Sequence, residues 1–279
     1  MFKTAKMAAI TDPKIPKIVY SRASKKIMEG EIFIKQHVFD YIISGTSDAT
    51  FEGKTHTFQA GDFRFAARNR LTRFVKLPPE AGEYRSISIC IDQDTLLELK
   101  DQYTKNNNLT VKRFDNVFLL KSNKLFKNYV DTLLPYLESG EQISQQLIKL
   151  KIKEAVLIFI EANPDLVNIL FNFSEPGKID LEAYMNEHYS FNGDLEQFAY
   201  LTGRSLSTFK RDFQQIFNTT PNKWLIKKRL DDAYYLIKER GVRPNEASID
   251  VGFKDYSHFS FSFKKVFGFA PSVASDYVL

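Results

Sequence analysis

The stretch SLSTFKRDFQQIFNTTP (residues 205–221) returns fifty residues later as DYSHFSFSFKKVFGFAP (residues 255–271). Phe209, Phe213, Phe217 and Pro221 fall on Phe259, Phe263, Phe267 and Pro271, and Ile216 falls on Val266. Each copy opens with a residue that caps helix N-termini, Ser205 or Asp255. Aromatics four apart share one helix face, and a short turn leads from each helix to proline. A repeat of this size is one structural unit used twice. The unit reads as a helix-turn-helix, which points to DNA.

The sequence before each copy supplies the rest of the motif. In LEQFAYLTGRSLSTFKRDF, Ala199 is small enough for two helices to cross closely and Gly203 suits the tight turn between them. Phe209 and Phe213 then face inward, which leaves Ser207, Thr208, Lys210, Arg211 and Gln214 outward. Arg and Gln make bidentate contacts with guanine and adenine edges, and Lys reaches a guanine edge or a phosphate. In the second copy Gly252 serves the turn. Tyr256, Ser257, His258 and Ser260 are its outward candidates, with Lys264 and Lys265 toward a nucleic-acid backbone. A solvated face of an ordinary bundle explains one such motif as well as DNA does, but not two at this spacing.

GF-x-D-x-SHFS-x-x-FKK-x-FG-x-x-P, from Gly252 to Pro271, resembles the signature of the AraC/XylS-type bacterial transcription regulators. WLIKKRLDDAYYLI resembles the family's connecting helix, and the likeness extends from about Lys178 to Tyr277. It implies an activator that recruits RNA polymerase, with a signal-sensing N-terminal domain that dimerises in many members. This chain departs from the pattern twice. Phe261 stands where the family usually has a DNA-contacting Arg or Lys, and Ser248 stands where a small Ala is usual. The Phe leaves two readings open: a second motif that mainly grips phosphates, or a Phe that touches a thymine methyl.

Charge refines the expectation. From Pro176 to Leu279 there are 14 Lys or Arg against 13 Asp or Glu, so this part is not basic overall. Between Lys210 and Leu230, however, six bases face one acid, Asp212. Lys210, Arg211, Lys223, Lys227, Lys228 and Arg229 are expected to form a stripe suited to phosphates, although a solvated charge run explains the cluster alone equally well. Phosphate contacts are assigned to Ser205 and Asp255 at the helix N-termini and to Lys223, Lys227 and Lys264.

The N-terminal half reads differently. KIVY, EIFIKQHVFDYIISG, ATFEGKTHTFQAGDFRFAA and YRSISICI are short, rich in Ile, Phe and Tyr, and punctuated by glycine, as in an antiparallel barrel or sandwich. FEGKTHTFQAGDFRF resembles the strand–turn–strand of the family's cupin-like sensing domain. Helices follow at Gln93–Lys105, Asn123–Glu138 and Glu141–Ala162. In the last of these, Ile148, Ile152, Ala155 and Phe159 form a stripe that periodicity alone cannot assign to core or dimer interface. Ala66–Lys76, with Arg68, Arg70 and Arg73, reads as a solvated loop ahead of an anionic ligand site. The string GKT at residues 53–55 is not a P-loop, because Asp48 stands where the motif needs its first glycine.

The 279 residues suffice for two domains. The net charge of +5 is a mild hint of an anionic partner. The single cysteine, Cys90, excludes an internal disulfide and lies in an apolar run, as an inert buried thiol does. His37 and His56 stand apart with no His-x-His pair, so no metal or other cofactor is expected. The absence of a signal-peptide core and of a long apolar run predicts a cytoplasmic protein with no membrane partner.

These readings combine into an α+β chain. A cupin-like antiparallel β-barrel with trailing helices spans 1–171, a linker 172–178, and an all-α domain 179–279 with helix-turn-helix motifs at 194–217 and 245–267. The expected partners are double-stranded DNA, RNA polymerase by resemblance, a small-molecule or protein effector, and a second copy of the chain. The competing classes are a cupin-type metal enzyme with a helical appendage and a helical scaffold for protein contacts.

Overall fold

A computed structural model describes residues 17–51, 54–104, 117–139 and 143–274. The chain divides into two units, one made of Met1–Ile27 and Ile34–Ser174, the other of Met28–Phe33 and Glu175–Leu279.

The first unit is built on antiparallel strands: β1 (Lys17–Ala23), β3 (His37–Ser44), β4 (Thr46–Phe51), β5 (Lys54–Gln59), β6 (Phe63–Ala66), β7 (Arg70–Leu77), β8 (Tyr84–Ile91) and β9 (Val117–Leu119). A further strand, β2, runs over Ile27–Ile34. One sheet has the order β1-β8-β3-β6-β9, and a second carries β7-β4-β5. The apolar runs of β3 and β8 are buried on both faces, and the two-residue side-chain period of a strand shows how. Phe39 pairs with Phe65 on one side and Ile89 on the other. These residues face α2 (Lys124–Glu138) and α3 (Gln145–Ala162). The ring of Phe159 lies 4.2 Å from Phe39 and 4.5 Å from Phe126. Asp40, one residue along, points the other way.

That opposite face carries a buried polar group. Arg64 Nε donates to Asp40 Oδ2 at 3.1 Å, and its Nη1 donates to Ser47 Oγ at 2.9 Å. Its guanidinium lies 5.2 Å and 4.8 Å from the ring centres of Phe58 and Phe74. Ser88 Oγ donates to the other oxygen of Asp40. A buried pair satisfied in this way is costly to break from one side.

Several expectations change here. Ala66–Lys76 is not a solvated loop: most of it is β7. Arg68 is buried, with Nη2 donating to the Asn172 carbonyl at 2.9 Å, and of the three arginines only Arg70 is exposed. Pairing with β4 pulls this charged stretch into the sheet. The apolar stripe of α3 is core, since Ile152, Ala155 and Phe159 are wholly buried, while Leu150 and Leu157 are exposed. α1 (Gln93–Thr104) is as expected up to its last described residue, and α3 begins at Gln145, capped by Ser144. β9 and the short α4 (Leu166–Leu170) have no sequence signal of their own. Cys90 is buried, which pushes its thiol up to about 12.

The second unit is helical: α5 (Leu181–His188), α6 (Leu195–Leu201), α7 (Leu206–Phe217), α8 (Pro221–Arg240), α9 (Pro244–Asp250) and α10 (Tyr256–Phe267). α8 starts with Pro in its first turn, where the missing N–H costs nothing. Its Trp224 ring lies 4.8 Å from that of Phe217 in the first motif. Further along, Leu230, Ala233 and Ile237 are buried with Phe259 and Phe263 in the second. One helix thereby supplies core to both motifs.

Candidate nucleic-acid interface

The two motifs present equivalent helices. α7 and α10 have 12 residues each. Ser205 Oγ accepts from the Thr208 N–H at 3.3 Å, and Asp255 Oδ1 accepts from the His258 N–H at 2.8 Å. Both helices end on a left-handed residue, Asn218 or Gly268. Inward, Phe209, Phe213, Phe259 and Phe263 are wholly buried. α6 opens with a reciprocal capping box between Asp194 and Gln197.

Each turn glycine does more than turn. Gly203 has φ +65°, and a Cβ there would lie 2.3 Å from the carbonyl carbon of Gly177. Gly252 has φ +92°, and its Cβ would lie 2.2 Å from the Ser190 carbonyl oxygen. The segments before and after α5 therefore close against the two turns, one each. Any side chain would be both strained and in collision.

The fifty-residue repeat aligns the outward faces position by position. Arg211 and Phe261 stand at the centres, 68% and 70% exposed. One turn before them lie Ser207 and Ser257, then Thr208 and His258. One turn after lie Gln214 and Gln215 in α7, and Lys264 and Lys265 in α10. Ser207, Lys210, Arg211, Gln214, Tyr256, Ser257, His258 and Lys264 are exposed, as are Ser205, Asp255, Lys223 and Lys227. Thr208 and Ser260 are half-buried. The Thr208 hydroxyl lies 3.0 Å from Ser205 Oγ, so it is part of the cap. Ser248 is buried, with its hydroxyl donating to the Asn245 carbonyl at 2.7 Å, which accounts for its taking the place of alanine.

The basic stripe is shorter than the sequence suggests. Arg229 donates Nε to the Tyr189 carbonyl at 2.8 Å and Nη2 to the Phe191 carbonyl at 2.7 Å. Burial pushes this guanidinium down to about 10. It ties α8 to the chain after α5 and is not offered to a phosphate. Lys228 Nζ lies over the Tyr189 ring, 5.3 Å from its centre. Lys210, Arg211, Lys223 and Lys227 remain exposed.

Two residues escaped the sequence reading. Gln215 is exposed four positions beyond Arg211, and helical spacing was its available signal. Arg204 carried no signal. Its Nη1 donates to the carbonyls of Thr202 and Ile179 at 2.7 and 3.0 Å, and its Nε donates to Asp212 Oδ2 at 3.1 Å. Arg204 first, then Lys178 and Arg211, hold the Asp212 carboxyl below the usual carboxylate range. Arg211 Nη2 reaches the same carboxylate at 3.4 Å.

Elsewhere, His37 is buried and accepts the Arg68 N–H on Nδ1 at 3.2 Å. His56 stacks on Phe51 with ring centres 5.0 Å apart. Among the described residues no three His, Cys, Asp or Glu side chains converge as a metal site, and no helix is long and apolar enough to cross a membrane.

Two capped, equivalent helices with exposed polar faces, joined by one shared helix, define a double helix-turn-helix protein. Residues 198–275 match the family model described as a helix-turn-helix domain, and residues 37–169 match the ExsA N-terminal regulatory domain. The helical unit is thus a helix-turn-helix domain of the AraC/XylS type, and the strand-rich unit is similar to a regulatory domain found with it. The chain is 28% identical over 125 residues to the HTH-type transcriptional regulator ExsA of Pseudomonas aeruginosa, covering 44% of this chain and 45% of that protein. It is 27% identical to the virulence regulon transcriptional activator VirF of Yersinia enterocolitica, covering 46% and 48%. It is also 27% identical to the transcriptional activator RhaS of Escherichia coli, covering 50% and 46%. The chain spans about half the length of the curated relatives it matches. A structure of ToxT from Vibrio cholerae is 15% identical with TM-score 0.44, covering 93% of this chain and 97% of that one.

Proposed function

We propose that this chain is a sequence-specific DNA-binding transcription factor, an activator whose N-terminal unit regulates it. The repeated outward faces of α7 and α10 carry this reading: they are exposed, capped, and backed by a common core. The two helices enter successive major-groove segments on one face of the duplex, about 34 Å apart. If the duplex bends to meet both, its deformability adds sequence dependence at positions the protein does not touch. Arg211 and Lys210 carry most direct readout in the first motif. Ser207 and Gln214 tune it, and Thr208 contributes through the cap. In the second motif the bases are met from Tyr256, Ser257, His258 and Ser260. Lys223, Lys227 and Lys264 hold phosphates, as does the α7 N-terminus at Ser205. At Asp255 the carboxylate repels a phosphate, so the N–H groups opening α10 make that contact.

The activator assignment follows the activators VirF and RhaS. The regulatory role of the N-terminal unit follows its likeness to a domain described as regulatory. A small-molecule or protein effector, a homodimer and contact with RNA polymerase belong to the same proposal. An effector acts only through its differential affinity for two states of the protein.

The test is selection of bound duplexes from a random DNA pool by the full chain at about 150 mM salt. Two half-patterns one helical turn apart are expected. No enrichment, with or without cell extract, would overturn the proposal.

A further inference from the structure

We infer that Phe261 is the base-reading residue at the centre of the second motif and that it reads the 5-methyl group of thymine in the major groove. The inference rests on the DNA-binding reading above and assigns the chemistry recognised by its second half.

Phe261 is not part of the core. Phe259 and Phe263, two positions to either side, are wholly buried, while Phe261 is 70% exposed. A helical period of 3.6 residues places it opposite them, in the middle of the outward face. Arg211 holds the same place in α7. An arginine there offers donors to guanine, whereas a phenyl ring offers none. The apolar feature a major groove presents is the thymine methyl, and Phe is among the side chains suited to it.

The surroundings favour a groove over an apolar protein partner. Lys264 and Lys265 follow one turn later on the same face, Ser257 and His258 precede one turn earlier, and all four are exposed. Tyr256 and Val266 are exposed on the same helix, but an apolar ring bordered by two ammonium groups complements a polyanion whose edge carries a methyl group. An apolar protein patch would leave those charges desolvated and unpaired.

The experiment uses the full chain and the duplex that emerges from the random-pool selection. Each thymine of the second half-site is replaced in turn by deoxyuridine, which removes only the methyl group. At one or two positions the affinity of the unmodified protein should fall about fourfold, the equivalent of about 0.8 kcal/mol for one buried methyl. Phe261→Ala should bind the unsubstituted duplex more weakly by a similar factor and should no longer sense the replacement. Its salt dependence should stay unchanged, whereas Lys264→Ala should lower the slope by about one. In a fresh selection Phe261→Arg should exchange the preferred thymine for guanine. The inference is overturned, with DNA binding intact, if the α7 half-site is selected but no thymine is preferred in the second half. Deoxyuridine affecting Phe261→Ala as much as the unmodified chain would have the same meaning. Failure to select any sequence would overturn the DNA-binding reading itself.

Discussion

Arg229 on α8 donates its Nε to the backbone carbonyl of Tyr189 at 2.8 Å, and the Tyr189 hydroxyl returns to Asp232, one turn along the same helix. The connecting helix is thus stitched to the chain that follows α5. Ser190, in the same segment, lies against Gly252 of the second turn. Residues 189–191 therefore touch both the shared helix and the second motif.

Arg229→Met should destabilise the helical unit by about 1–3 kcal/mol, since it leaves two part-buried carbonyls without their donor. A loss of 1 kcal/mol lowers the midpoint by about 4–8 °C in a domain of roughly 60–100 residues. Lys227→Ala, two positions earlier but exposed, should not move it. Thermal unfolding of the full chain distinguishes them; equal midpoints for the two variants would refute the structural role of Arg229.

Gly252→Ala and Gly241→Ala both place a side chain at positive φ, +92° and +64°, and strain of this kind costs about 1–3 kcal/mol. At Gly241 the added methyl meets nothing within 4 Å, whereas at Gly252 it meets the Ser190 carbonyl. Denaturant titration should show a clearly larger loss at Gly252. Comparable losses would mean that the turn can move away from Ser190 at little cost.

Arg211→Ala should weaken the selected site by about 1–3 kcal/mol and relax preference at one base pair, while Lys227→Ala should weaken all duplexes alike. Binding measured on matched and scrambled sites checks this. A uniform loss from both variants would reduce Arg211 to a phosphate contact.

Burial first, and then the nearby Arg68, push His37 down from its ordinary 6.5 to about 3. The folded chain keeps this imidazole neutral, while the unfolded chain protonates it below about pH 6.5. The contribution is therefore fully present above that pH and is lost as the pH falls toward 3, by about 1.4 kcal/mol per unit. His37→Gln retains an acceptor for the Arg68 N–H and should flatten that slope in stability measurements from pH 7 to 4.5. An unchanged slope would assign the acid sensitivity to other groups.

Much of the helical unit was legible because its signals are local. Caps at Ser205 and Asp255, aromatics four apart and a turn proline specify α7 and α10 to the residue, and the repeat pairs them. The strands β7 and β9 were not legible, since their identity depends on partners far away in sequence. Arg229 shows the same limit at the interface: in sequence it is one of four bases between Lys223 and Arg229, with nothing to separate it from Lys227.

The sequence by itself determined the two helix-turn-helix motifs, the positions of their outward faces and the odd Phe261, because capping, helical period and repeat act over a few residues. Tertiary structure alone decided which bases remain free for a polyanion. It tied Arg229 to two carbonyls, buried Arg68 beside Asn172 and left Phe261 in the open. The physical reason is that a charged side chain looks alike in every sequence context, and its role is set by the backbone carbonyls and carboxylates that folding brings within reach.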